Sequence, residues 1–442
     1  MAETLRKWWL PGWVFALYFI YPIPNTIALR NLLLVICLLG CLWIIKGDGT
    51  GKTAWQALKS FRTSGWILVA LSCWLLVQSS FISPYPREAL NHLRGDWFNE
   101  LLIAATGGCA VLAVRQGGAR RMLTALTLAL FAHAALLLAY QCWLWLSSGN
   151  SPLGLTPFAN RDYHSAVLTA LIALLLADLS TRVVFGTNSL AISQRTLVLI
   201  LTLSYVAIWV LMARNAVAIS CVMTLIAAGI FIRKGRRGLG LQKIFGIVAL
   251  LLALSVVTWI GQRSDERWSG FGEAVQAALD TKNNLAWLDE GRYARPARQD
   301  GQAVDHSTYM RLAWAKVALE QIERYPLGLG YGHKAFGWAV NRSYGLQTGH
   351  ESSHSGLLDF TLANGIPGLI LWLALSGALI AAGWKGFSKN ESTIGLLLAF
   401  TVIAYLVRCL FDGHLSGFRL EMYALLVGVL VMTQALEQKQ CK

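Results

Sequence analysis

Long apolar runs alternate with polar connectors along almost the whole chain. The runs fall at 8–22, 27–45, 65–82, 101–114, 123–147, 164–180, 197–213, 216–232, 244–260, 355–382, 393–410 and 418–436. A helix needs roughly 20 apolar residues to cross the hydrocarbon of a bilayer, and most of these runs approach that length. Without water to satisfy a bare backbone, each run is expected to be helical. The pattern predicts an all-α polytopic integral membrane protein with about twelve transmembrane helices. One stretch interrupts the alternation, at 261–353. The expected organisation is therefore helices 1–9 in 1–260, a large loop domain with short helices in 261–353, and helices 10–12 in 354–442.

The connectors carry a second pattern. One set is basic: Arg6 and Lys7; Lys46, Lys52, Lys59 and Arg62; Arg115, Arg120 and Arg121; Arg182 and Arg195; Arg233 to Lys243; Lys385 and Lys389; Lys439 and Lys442. The turns between them, Pro22 to Thr26, Ser148 to Asn160, Asn215, and Asp412 to Gly417, carry almost no basic charge. The positive-inside rule puts the basic set and both termini in the cytoplasm, and 261–353 outside.

Composition agrees with this reading. Hydrophobic residues make up 55% of the 442 and charged residues 14%, against about a quarter charged in soluble domains. Trp8 to Tyr21 lacks a small-residue cleavage site, so no cleavable signal peptide is expected. Seven of the eight cysteines lie in apolar runs, with no CxxC pair, so no disulfide is expected. Cys37 and Cys41 read as small packed residues on one helix face, and His133 as an interhelical hydrogen-bonding group. The +15 net charge sits in cytoplasmic connectors and in the loop. Membrane lipids and anionic substrates are the expected partners, not nucleic acid.

The loop is rich in arginine rather than lysine: Arg263, Arg267, Arg292, Arg295, Arg298, Arg311, Arg324 and Arg342. The planar fork of arginine suits phosphate recognition. Ser307 is placed to cap a helix from about Thr308 to Glu323, with Met310, Trp314, Val317 and Ala318 as its apolar stripe. Pro326 and Gly328 end it. Gly328-Leu-Gly330-Tyr-Gly332 then lets backbone approach a ligand or a neighbour closely. No strand precedes it, so it is not a nucleotide fingerprint.

Candidate chemistry concentrates at His350-Glu351-Ser352-Ser353-His354-Ser355, where the loop re-enters apolar sequence. His350-Glu351-x-x-His354 spells the zinc-protease pattern, with Asp359, His333 or His414 available as a third ligand. The other reading makes His354 alone a general base at a helix start. Asn160-Arg161 opens the sixth run. Arg214-Asn215 forms a two-residue turn that leaves Arg214 alone at an external helix end. Arg408 and Arg419 flank the last external turn, either snorkelling to headgroups or serving a site. Asp359 and Arg408 are expected to pair.

Taken together, Asn160-Arg161, Ala213-Arg214-Asn215-Ala216, Arg311-Leu-Ala-Trp314, Tyr325-Pro326-Leu-Gly328-Leu-Gly330 and His354-Ser355 followed by Gly365-Ile-Pro-Gly368 resemble the O-antigen ligase branch of the O-antigen ligase/polymerase superfamily. His354, Ser355, Gly365 and Gly368 satisfy that branch's pattern of His, a small polar residue, nine residues, Gly, two residues and a second Gly. The resemblance implies an inner-membrane glycosyltransferase of the GT-C type with a large periplasmic loop. It implies transfer of a finished glycan from undecaprenyl diphosphate to lipid A–core, with no cofactor and no metal. It puts the catalytic base on His354 and the diphosphate-binding arginines on Arg214 and Arg311. Asn160, Arg161, Asp359 and Arg408 are further site candidates. The alternatives are a polymerase of the same superfamily, an intramembrane zinc protease using His350, Glu351 and His354, and a lipid-linked glycan transporter. A transporter calls for broken helices, and Gly365 to Gly368 is the one candidate break. Polymerases often carry an arginine with Gly eleven residues on in periplasmic loops, and no external arginine here has that spacing.

Overall fold

A computed structural model describes residues 8–48, 56, 58–149, 154–158, 160–234, 270–332, 334–345, 350–413, 415 and 417–440. In chain order its helices are α1 (Leu10–Ile20), α2 (Ile27–Asp48), α3 (Arg62–Val77), α4 (Pro86–His92), α5 (Phe98–Ser148), α6 (Arg161–Phe185), α7 (Gln194–Leu211), α8 (Arg214–Lys234), α9 (Phe271–Leu279), α10 (His306–Arg324), α11 (Ala335–Tyr344), α12 (Gly356–Asn390), α13 (Thr393–Phe411) and α14 (Gly417–Gln440). Among the described residues, ten helical stretches are long and apolar enough to cross a membrane. They coincide with the expected runs except 8–22, where α1 is a shorter apolar helix, and 244–260, which lies outside the described residues. The chain is a polytopic helical membrane protein.

The expected connector between runs 101–114 and 123–147 is not a loop: helical backbone continues through it as part of α5. The two runs are nevertheless antiparallel. His133 bonds the Phe19 carbonyl at 2.8 Å, and Glu100 lies within electrostatic reach of Tyr21. A straight helix would hold Glu100 and His133 roughly 50 Å apart. The helix must therefore double back between them. His133 makes the interhelical bond its position called for.

Packing sorts the connectors into two ends. At one, Arg120 donates to the Leu190 carbonyl, Ser392 to Glu437 and Lys439 to Gln56, all from the basic set. Asp178 closes a turn there, accepting from the backbone N–H groups of Ser189 and Leu190 and from Arg182. At the other end, Arg30 pairs with Glu421 at 3.1 Å, and Ser83 donates to Leu329 of the loop. Close packing in the bundle rests on small residues: a Cβ on Gly428 would meet the Ala104 carbonyl, and one on Gly383 the Gly395 carbonyl. The seven described cysteines are free, and Cys37 and Cys41 are packed inside.

The loop builds its own core on α9, α10 and α11. Trp287, Tyr309, Met310, Trp314, Val317 and Phe336 are buried together with Leu362 and Ala363 of α12. The α10 stripe is the expected one, but its cap is not Ser307. Asp305 accepts from the Thr308 N–H at 2.8 Å and the helix starts at His306. A carboxylate two residues upstream is the stronger acceptor for the free N–H groups and adds half a turn.

The expected break in α12 is present at Gly365, with φ 73° and ψ 174°. Pro367 has no N–H for the Ala363 carbonyl. The glycine-rich stretch after α10 takes over the freed groups. Leu329 N–H donates to Leu362 O, Gly330 N–H to Ala363 O, and Ile366 N–H donates to Pro326 O, each at 2.8 Å. Gly328 has φ 85°, and a Cβ there would lie 2.5 Å from the Ala363 oxygen and the Gly365 nitrogen. The neighbour that these glycines approach is a helix break.

Candidate active site

α10 and the segment 350–355 meet over the end of α13. Segment 350–355 is not helical. His354 has a left-handed backbone, φ 57°, uncommon for a residue with a Cβ. Asp359, one turn into α12, fixes this bend by accepting from the Ser353 N–H at 2.8 Å. The Gly356 N–H donates to the Asp412 carbonyl at 3.0 Å, which ties the start of α12 to the end of α13.

The His354 ring lies almost parallel to the Trp314 indole, with centroids 5.1 Å apart and planes at 20°. Trp314 is itself held by donation to the Trp287 carbonyl at 2.9 Å. Shielding from water, then the Arg311 guanidinium, push the His354 imidazole below its ordinary pKa, against the opposing pull of Asp412 and Asp162. An imidazole displaced this way is neutral at pH 7 and able to accept a proton.

Arg311, on α10, donates to the Phe411 carbonyl at 3.5 Å. Other described loop arginines are held within the loop. Arg295 lies by Glu290 and donates to Val304 O, Arg298 pairs with Asp300 at 2.7 Å, and Arg342 sits over the Tyr325 ring. Arg214 opens α8 and is not alone, because it faces Asp305 at 3.5 Å. Burial raises the Asp305 carboxyl pKa, but bonds from Thr308 and the Arg214 charge outweigh this and hold it below its ordinary value. The residue that caps α10 thus also anchors Arg214.

Arg408 neither snorkels nor meets Asp359. It is 3% exposed, pairs with Asp412 at 3.5 Å, and donates to Ser165 and Thr169. Ser165 donates to Asn215, and Asn215 donates to Asp412. One turn separates Arg408 from Asp412 on the same helix, so the pair forms without bridging to α12. This network joins α6, α8 and α13 beneath the His354 bend. Arg419 donates to Gly413 O and lies over the Tyr163 ring. Asn160 caps α6 through the Tyr163 N–H, and Arg161 packs across Gly154.

The zinc pattern needs His350 and His354 one turn apart on a helix. Here both rings flank Trp314 instead, and Glu351 turns to Lys334 at 3.1 Å. Among the described residues no group of three His, Cys, Asp or Glu side chains converges as a metal site. His333 and His414 lie outside the described residues. The sequence reading did not single out Trp314 as a site residue, nor Ser165. A tryptophan on a helix's apolar stripe looks like ordinary core.

The arrangement thus joins a neutral imidazole, an adjacent guanidinium and a second guanidinium anchored through the same loop helix. Residues 196–373 match the family described as O-antigen ligase. That span holds Arg214, Arg311 and His354. No curated protein matches the chain.

Proposed function

We propose that this O-antigen ligase-like chain transfers a finished glycan from undecaprenyl diphosphate to lipid A–core at the periplasmic face of the inner membrane, as a GT-C-type enzyme. The acceptor hydroxyl oxygen attacks the anomeric carbon, and the bond from that carbon to the diphosphate oxygen breaks. His354 takes the hydroxyl proton, and undecaprenyl diphosphate leaves with the bonding pair. Attack opposite the leaving group inverts the anomeric centre. Arg214 and Arg311 hold the diphosphate as its charge grows, where fixed donors act most strongly. The donor is already activated, so one base and one anion clamp complete the chemistry without a cofactor.

The observation that carries this reading is the His354 imidazole, kept neutral on Trp314 with the Arg311 guanidinium beside it. The test is the product made by purified protein from lipid-linked glycan and lipid A–core in EDTA. Glycan-bearing lipid A–core with release of undecaprenyl diphosphate is expected. Longer glycan still on the carrier would identify a polymerase instead, and no transfer of either kind would overturn the reading.

A further inference from the structure

A cavity of about 270 Å³ adjoins the His354 bend, lined by Asp96, Tyr331, Ser352, Asp359, Phe360 and Asn364 among others. Ser352 and Gly356, two residues either side of His354, both border it. At about 30 Å³ per water, it has room for the ring of a sugar in place of some nine waters. No lysine or arginine lines it among the described residues. Carboxylates in such a wall repel a diphosphate, so this is not where the donor's charged group sits.

Two of its lining residues carry a buried polar atom without a partner among the described residues. The Tyr331 hydroxyl and the Asn364 side-chain oxygen are buried and make no hydrogen bond among the described residues, in residues 4% and 1% exposed. Buried polar atoms are rarely left this way unless a ligand or water completes them. The helix break explains Asn364. Its side-chain N–H donates back to Phe360 and its main-chain oxygen accepts from Trp74, leaving the side-chain oxygen with no partner among the described residues. The residues that line the cavity bring a phenol, a carboxamide, carboxylates and aromatic rings, all uncharged or acidic. That set fits a neutral, hydroxyl-rich saccharide.

We propose that this cavity is the subsite for the sugar that accepts the glycan, held by Asp96, Asp359, Tyr331 and Asn364 with its nucleophilic hydroxyl toward His354. The inference rests on reading the chain as a glycan transferase. It divides the two substrates by charge, with the diphosphate at Arg214 and Arg311 and the acceptor sugar in the acidic cavity.

Tyr331→Phe tests it, because the lost oxygen has no partner among the described residues and thermal stability should not fall. Its KM for lipid A–core is expected to rise roughly three- to tenfold with the donor KM unchanged, and Asp96→Asn should do the same. Arg311→Lys should raise the donor KM instead. Binding is also read directly, by titrating the core oligosaccharide into the solubilised full chain. Weaker binding to Tyr331→Phe than to wild type supports the subsite. Equal binding, with unchanged acceptor KM in both variants, overturns it while leaving the transferase reading intact. A wild type that binds the oligosaccharide through Tyr331 but transfers nothing keeps the subsite and sinks the ligase reading. If EDTA raises the wild-type acceptor KM as much as Asp96→Asn does, the carboxylates hold a cation and direct sugar contact is overturned.

Discussion

Replacing Gly365 by alanine should undo the joint between loop and bundle. At φ 73° and ψ 174° the backbone is in a region essentially reserved for glycine, and a side chain there costs of order 1–3 kcal/mol. The added Cβ would also lie 2.5 Å from the Leu327 carbonyl carbon and 2.7 Å from its Cα and oxygen. Those are backbone atoms, so Leu327 would have to retreat by nearly an ångström. The retreat would strain the three 2.8 Å bonds that join 326–330 to 362–366, together worth about 3 kcal/mol at roughly 1 kcal/mol each. The combined loss of about 4–6 kcal/mol rivals the whole stability of many domains. The expected result is a lower unfolding midpoint in detergent, followed by tryptophan fluorescence, and near-complete loss of glycan transfer. Gly377→Ala is the control. It lies on the same helix with nothing within 4 Å of its Cβ, so it should be neutral or stabilising by up to ~1 kcal/mol. A Gly365→Ala protein with wild-type midpoint and full transfer would show that the break and its glycine-rich partner do not hold the site.

His354→Ala should cost roughly a hundred- to ten-thousand-fold in transfer with donor binding kept, whereas Glu351→Gln and His350→Ala should retain substantial activity and EDTA should have little effect; inactivation by Glu351→Gln at normal expression would favour the zinc reading. Arg214→Lys and Arg311→Lys keep the charge but lose the planar fork, so both should lose more transfer than Arg295→Lys or Arg298→Lys, and equal losses at all four would mean a diffuse basic field. Because the His354 pKa lies below its ordinary value, the base form persists to lower pH and the acid limb of kcat should fall below pH 6.5, the ordinary histidine value; removing the Arg311 charge takes away one cause of the depression and should move that limb upward, and a limb that stays put in Arg311→Gln would remove Arg311 from the base's surroundings. Single cysteines at 290 and 340, in a background without native cysteines, should react with an impermeant maleimide in spheroplasts while one at 237 should not, and the reverse pattern would invert the orientation.

Much of the architecture follows from one-dimensional information. Spans are legible because a bilayer forces about 20 residues of apolar, internally bonded backbone for each crossing. The two ends of the bundle are legible because basic connectors alternate with neutral turns, and packing joins basic connectors to one another, Arg120 to Leu190 and Lys439 to Gln56. His354, Arg214 and Arg311 are singled out by motif and by the expense of placing charge at helix ends. The glycine run and the Gly365–Pro367 pair each announce unusual backbone.

Tertiary structure alone decided what those residues meet. Sequence separates Gly328 from Gly365 and cannot say that one fills the break in the other. It suggested an Asp359–Arg408 pair, but Arg408 found Asp412 one turn away on its own helix, while Asp359 was taken by the Ser353 N–H. One of its two readings put His350-Glu351-x-x-His354 on one helical face, and the chain there is bent around Trp314 instead. It read Ser307 as a cap because spacing locates a helix start only to within a turn, and the stronger acceptor, Asp305, won. Membrane crossing and side preference are solvent properties of each segment taken alone, so they are written along the chain. Partner choice among polar groups inside a bundle is a competition settled by distance and angle, and those exist only once the chain has folded.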